Sequence, residues 1–91
     1  MVTVKKLIEA KRNKKLGNHR VEIYNTGSEV KRYYYYHATA VVVVDYINQT
    51  ITINSGGWNT PSTNRTINAY LRELDYLGYE VIDNRGGRKY A

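Results

Sequence analysis

From Val30 to Tyr46 the chain reads VKRYYYYHATAVVVVDY, with no glycine and no proline. β-branched and aromatic side chains lose rotamer freedom in a helix but fit the pleated, half-buried surface of a sheet. So long a run makes the middle of the chain β. Strand is expected from Val30 to His37 and from Ala38 to Tyr46, read as one long strand with a bulge near 37–39. Upstream, Arg20 to Tyr24 alternates, placing Val21 and Ile23 on one face, and Asn25-Thr26-Gly27-Ser28 is turn material. Downstream, Ile47-Asn48-Gln49-Thr50 turns into a short strand, Ile51-Thr52-Ile53.

Two helices flank this β region. Thr60 followed by Pro61 is a capping residue with proline at the first helical position, and Gly78 is a stop. The helix predicted over about 61–77 carries Ile67, Tyr70, Leu71, Leu74 and Leu77 at helical spacing, so that stripe belongs to the core. Arg65, Arg72 and Tyr76 fall on its opposite face, with Asn68 at the flank. An N-terminal helix over about 3–16 is expected from Thr3 as N-cap and Gly17 as C-terminal glycine. Its stripe begins with Val4, Leu7 and Ile8 but then meets Lys11 and Lys15. The second half therefore has nothing apolar to bury and should lie at an edge or project. Tyr79 to Ile82 reads as a strand, Asp83 to Gly87 as a turn, and Arg88 to Tyr90 as a last short strand.

At 91 residues the chain has room for one domain, residues 1–91, and one core. The fold class expected is α+β: an antiparallel sheet of about four to six strands with the 61–77 helix on one face. Cysteine is absent, which excludes disulfides and thiolate metal sites. The longest apolar stretch, Ala40 to Val44, is far short of the roughly 20 residues of a membrane span. A soluble, cytoplasmic protein is expected.

The charge is unevenly placed. Lys and Arg number 14 against 8 Asp and Glu, a net charge of +6. Up to Arg20 the basic residues are Lys5, Lys6, Lys11, Arg12, Lys14, Lys15 and Arg20, opposed only by Glu9, so the excess sits in the first twenty residues. Such asymmetry points to a polyanionic partner, because clustered Lys and Arg gain affinity by releasing counterions. The ten tyrosines, with no phenylalanine, add area that is apolar in body and polar at the tip. In the run Tyr33 to Tyr36, alternation puts Tyr33 and Tyr35 on one face and Tyr34 and Tyr36 on the other. Tyr34 and Tyr36, with Lys31 and Arg32 beside them, are the candidate contact residues, either stacking bases or burying against a protein. Arg65 and Arg72, on the outer face of the second helix, are further candidate contacts, either on the same surface as the basic segment or on a separate one.

A second candidate lies in Ser55-Gly56-Gly57-Trp58-Asn59-Thr60-Pro61-Ser62-Thr63. N–H groups at the helix start, the Ser62 and Thr63 hydroxyls and Arg65 could hold a phosphate while Trp58 stacks on a base. It is not a P-loop, since G-K-[ST] is missing. Catalytic chemistry finds little footing. The two histidines, His19 and His37, have no metal-ligand spacing, no nucleophile elbow is present, and no cofactor or metal is implied. A non-enzyme is expected.

The segment ITINSGGWNTPSTNRTIN resembles a pattern in small uncharacterised phage and prophage proteins. The matching positions are Ser55, Gly56, Gly57, Trp58, Thr60, Ser62, Thr63, Arg65 and Asn68, while Asn64 stands where that pattern has a basic residue. The resemblance implies a phage or mobile-element origin and life in the cytoplasm of a bacterial host, without implying a reaction. Together with the basic segment it leads to an expectation: a non-catalytic binding protein aimed at nucleic acid or a host nucleoprotein complex. That expectation extends to counter-defence, an inhibitor of a host nuclease in the manner of anti-CRISPR proteins. The alternative is a single-stranded DNA- or RNA-binding accessory protein of phage replication or regulation, and a particle-assembly protein is the third class.

Overall fold

The computed structural model describes residues 2–57 and 60–85. Helix α1 (Val2–Glu9) leads into β1 (Lys14–Leu16), β2 (His19–Asn25), β3 (Val30–Tyr36), β4 (Thr39–Asp45) and β5 (Thr50–Ile53). Helix α2 (Pro61–Leu74) follows, extended by a 3₁₀ turn over Asp75–Leu77, and β6 (Glu80–Asp83) closes the described chain. The strands form one six-stranded sheet in sequence order, and the fold is an α+β domain. Strands β1 to β5 pair as an antiparallel meander, whereas β6 pairs with β5 in parallel. The expected sheet was wholly antiparallel. The difference follows from α2, which carries the chain back along the sheet before β6, as a parallel neighbour requires.

Helix α2 forms where the sequence places it. Thr60 caps it with extended backbone (φ −99°, ψ 157°), accepting the Thr63 N–H at 3.2 Å, and Pro61 opens the first turn. Gly78 ends the 3₁₀ turn at φ 67°. Ile67, Ala69, Tyr70 and Leu74 are buried. Ahead of α2, Gly56 has φ 63°, and a Cβ there would lie 2.6 Å from Thr39 Cγ2. Only glycine lets the chain leave β5 so close to the β3–β4 hairpin.

The N-terminal third departs from the expected helix over 3–16. Helix α1 stops at Glu9, just where its apolar stripe of Val4, Leu7 and Ile8 runs out. Lys11 and Arg12 lie in the following bend, while Lys14 and Lys15 belong to an edge strand. Gly17 adopts the positive φ expected of it, 62°, but uses it to turn β1 into β2 rather than to end a helix. Asn13 secures the start of β1, its Oδ1 accepting the Ile23 N–H at 2.7 Å.

The expected long strand is also two strands. His37 and Ala38 form a two-residue hairpin between the paired Tyr36 and Thr39, with His37 at φ 57°. The bulge sits further along, where Tyr34 pairs with Val42 and Tyr35 with Ala40, leaving Val41 as the extra residue. Val41 and Val42 are both buried as a result.

Register sorts the sheet into two faces. Val21, Tyr34, Val42 and Ile53 stand in one row and Ile23, Arg32, Val44 and Ile51 in the next, all on the helix side. The apolar members of these rows join Val4 and Leu7 of α1 and Ile67, Tyr70 and Leu74 of α2 in a single cluster. Helix α1 packs on α2, β1 and β2, and α2 packs on β4. Neither helix covers the opposite face.

Candidate nucleic-acid interface

The uncovered face carries three rows of side chains. Lys15, Arg20, Tyr35 and Ala40 form the first, Glu22, Tyr33, Val43, Thr52 and Ile82 the second, and Tyr24, Lys31, Asp45, Thr50 and Glu80 the third. The tyrosines exposed to a partner are thus Tyr33 and Tyr35, joined by Tyr24. Tyr34 and Tyr36, the candidate contact pair, point the other way. Tyr34 is 0% exposed, its ring 4.7 Å from that of Tyr70, and Tyr36 packs against the edge of the core. Alternation separates the two pairs, but only the placement of both helices on one side decides which pair is buried.

A connected ladder crosses the open face. The Arg20 guanidinium stacks on Tyr35, 3.8 Å from the ring centroid. Its Nε donates to Glu22 Oε2 at 3.2 Å, and Glu22 Oε1 accepts the Tyr24 hydroxyl at 3.0 Å. Tyr24 in turn meets the Tyr33 ring edge-on at 5.2 Å. The hydrogen bond to Glu22, and then the charge of that carboxylate, push the Tyr24 phenol above its ordinary value. The first row is cationic, with Lys15 and Arg20, while the third ends on Asp45 and Glu80. Electrostatic potential therefore falls from the end of the face nearest the β1–β2 turn towards the other.

The remaining candidates scatter. Lys5 and Lys6 are exposed on α1, and Arg65, Asn68 and Arg72 on α2, all on the helix side of the sheet. Lys11, Arg12, Lys14 and Lys15 gather at the β1 edge. Lysine on an exposed edge strand also discourages strand pairing with another chain. Lys31 faces Glu29 at 4.0 Å and lies opposite Asp45 in the register. Arg32 serves structure instead: its Nη1 donates to the Ile8 carbonyl at 2.9 Å, satisfying an acceptor in the last turn of α1.

The helix-start candidate is assembled only in part. A cleft of about 530 Å³ opens between the β3–β4 turn and the start of α2, lined by Tyr36, His37, Val41, Ser55, Ser62 and Thr63 among others. Thr63 spends its N–H on Thr60 Oγ1, and its hydroxyl accepts from the same oxygen at 3.0 Å. Arg65 is not among the described residues lining the cleft. Ser62 and Thr63 thus line the cleft together, without Arg65 and with the Thr63 N–H already used in the cap. Trp58, the expected stacking ring, lies outside the described residues, as do Gly86, Gly87 and the expected last strand at Arg88 to Tyr90. Asn64, where the phage pattern has a basic residue, receives one from elsewhere, since Arg85 Nη1 donates to its Oδ1 at 3.3 Å.

Among the described residues no group of three or more His, Cys, Asp or Glu is placed to hold a metal, and no helix is long and apolar enough to cross a membrane. Comparison with protein-family models, with curated proteins and with solved structures gave no match.

Proposed function

We propose that this chain is a non-catalytic binding protein that takes single-stranded nucleic acid across the uncovered face of its sheet. The observation that carries this is the segregation of the helices: both lie on one side, and the other side presents Tyr24, Tyr33 and Tyr35 with the Arg20 guanidinium stacked among them. Unpaired bases offer flat faces to such rings, and stacking tolerates any base. Lys15 on the same face, with Lys11, Arg12 and Lys14 at the adjoining edge, supplies charge for the phosphate backbone. The resemblance of residues 51–68 to phage proteins directs the proposal towards host or phage nucleic acid and the nucleoprotein complexes that process it.

Fluorescence anisotropy with labelled single-stranded DNA and RNA oligonucleotides tests the proposal. Saturable binding that weakens about tenfold in Tyr33→Ala, the order expected for one stacked base, supports it. Absence of saturable binding to either oligonucleotide, or binding unchanged in both Tyr33→Ala and Tyr35→Ala, overturns it.

A further inference from the structure

The cleft between the β3–β4 turn and the start of α2, about 530 Å³, has the size of a small-molecule site, roughly 300–1,000 Å³. Register explains where it opens. Tyr36 and Thr39 are cross-strand partners beside the turn, and both stand on the helix side of the sheet. With the buried Val41 they give the cleft a largely apolar wall. Ser62 and Thr63 of α2, and Ser55 from the connection after β5, give it a second wall of hydroxyls.

The chain carries a net charge of +6, yet no Lys, Arg, Asp or Glu borders the cleft among the described residues. An ionic ligand would find no countercharge there. An uncharged ligand finds unused hydrogen-bonding groups. Ser55 is 2% exposed, and no hydrogen bond among the described residues uses its hydroxyl, although a buried hydroxyl ordinarily has a partner. Thr63, 5% exposed, accepts at its hydroxyl from Thr60 and so keeps its own hydroxyl hydrogen to give. At the helix start Pro61 has no N–H, Thr60 Oγ1 takes the Thr63 N–H, and the Thr60 carbonyl takes the Asn64 N–H at 3.0 Å. The Ser62 N–H is the first-turn donor that this cap leaves without an intrahelical acceptor.

We propose that the cleft binds a nucleobase bearing a ring carbonyl, as uracil, thymine and guanine do. The Ser62 N–H and the Thr63 hydroxyl are donors suited to a carbonyl oxygen, which the positive end of the α2 dipole also favours. The Ser55 hydroxyl both donates and accepts, so it complements the ring N–H beside that carbonyl. The base plane meets the apolar wall of Tyr36 and Val41. Adenine, without a ring carbonyl, would leave the helix-start donors unpaired.

The base could arrive as a free nucleoside or on a strand. Tyr35 and Tyr36 are consecutive residues on opposite faces, so the β3–β4 turn is where the open face and the cleft adjoin. Only the strand as a source rests on the sheet-face proposal; the recognition chemistry is the cleft's own.

The experiment titrates uridine into the full chain, followed by NMR of the backbone amides, with adenosine in parallel. Saturable shifts at Ser55, Ser62 and Thr63 are expected with uridine, and binding about tenfold weaker or less with adenosine. Ser55→Ala and Thr63→Val should each weaken uridine about fivefold, the size of one lost hydrogen bond. Ser55→Ala removes a hydroxyl that has no bond to lose, and chemical-shift dispersion in the same spectra reports that both variants keep the fold. Lack of saturable shifts, equal binding of adenosine, or affinity indifferent to both substitutions overturns the site. Oligouridine then assigns the source. Shifts at the cleft amides together with those of the open face support a strand-borne base, and shifts confined to the open face alongside saturable uridine support a free nucleoside. Tyr33→Ala separates the two proposals: it should weaken oligonucleotide binding while leaving the uridine titration unchanged.

Discussion

Arg20 sits over Tyr35, its guanidinium carbon 3.8 Å from the ring centroid, while its Nε is tied to Glu22. The side chain thus extends the aromatic surface of the open sheet with a charged plane. Arg20→Lys keeps the charge but loses both the planar stack and the forked donors. A stability loss of about 0.5–1 kcal/mol is expected, the size of an exposed cation–π contact, and urea denaturation would measure it. Oligonucleotide affinity should fall by more than in Lys31→Gln, whose charge is already offset by Glu29 and Asp45.

The Tyr70 hydroxyl is buried without a hydrogen-bond partner among the described residues, and burial pushes its phenol far above the ordinary value. A polar group in that position costs free energy that a ring of the same shape does not. Tyr70→Phe should therefore raise stability by about 1 kcal/mol, read as a higher denaturation midpoint with an unchanged m-value. A fall in stability would mean that the hydroxyl has a partner after all.

Gly56→Ala should cost about 1–3 kcal/mol, since it forces a side chain into left-handed backbone and against Thr39. Adding Thr39→Ala removes the Cγ2 and Oγ1 atoms that the new methyl would meet. The double variant should recover the steric part alone, so the two substitutions should be non-additive in thermal denaturation. Strict additivity would count against the close approach.

Changing Lys11, Arg12, Lys14 and Lys15 together to Gln tests the β1 edge. None of the four is buried, so each should shift stability by less than about 0.5 kcal/mol. The slope of log affinity against log salt should fall by about one for each phosphate contact removed. An unchanged slope would exclude this edge from the interface and leave Lys15's neighbour Arg20 as the main cation of the face.

Acid should destabilise the free fold from an unusually high pH. His19 has a folded value below that of the unfolded chain, 6.5, so the unfolded state binds more protons once the pH drops past that point. Stability is full above about 6.5 and is lost progressively as the pH falls towards the folded value. Denaturation midpoints measured across this pH window would show the loss. His19→Gln should flatten the profile in this window. Below the ordinary carboxylate range Asp45 and Asp83 add a second decline, because hydrogen bonds from Asn48 and Arg85 hold both carboxyls low.

How far residues announce their own structure differs along the chain. The signals for α2 were local and mutually consistent: Thr60, Pro61, a full apolar stripe and Gly78. Helix α1 was overextended because Gly17 signals only a positive φ, which serves a helix end and a tight hairpin equally. The three residues of β1 are too few to show alternation. The turn at His37 was illegible for a related reason, since a non-glycine residue in left-handed backbone leaves no compositional trace. For the candidate site, period-two alternation separated Tyr33 and Tyr35 from Tyr34 and Tyr36 but carried no sign. Only the tertiary side chosen by the helices supplies it, and that choice selected the pair opposite to the one expected.

The meander has a kinetic consequence. Each pairing from β1 to β5 closes through a loop of two to four residues, so most of the sheet is assembled from contacts near in sequence. Among the described strands β6 alone joins across an intervening helix, α2, which packs on β4. Low contact order in the first five strands favours rapid zipping, and closure of the longer loop falls to the end. Until that late step, β5 is an open edge whose Ile51 and Ile53 have no neighbour on one side. The interval between helix docking and β6 pairing is thus the stage at which a second chain could most readily add to the sheet.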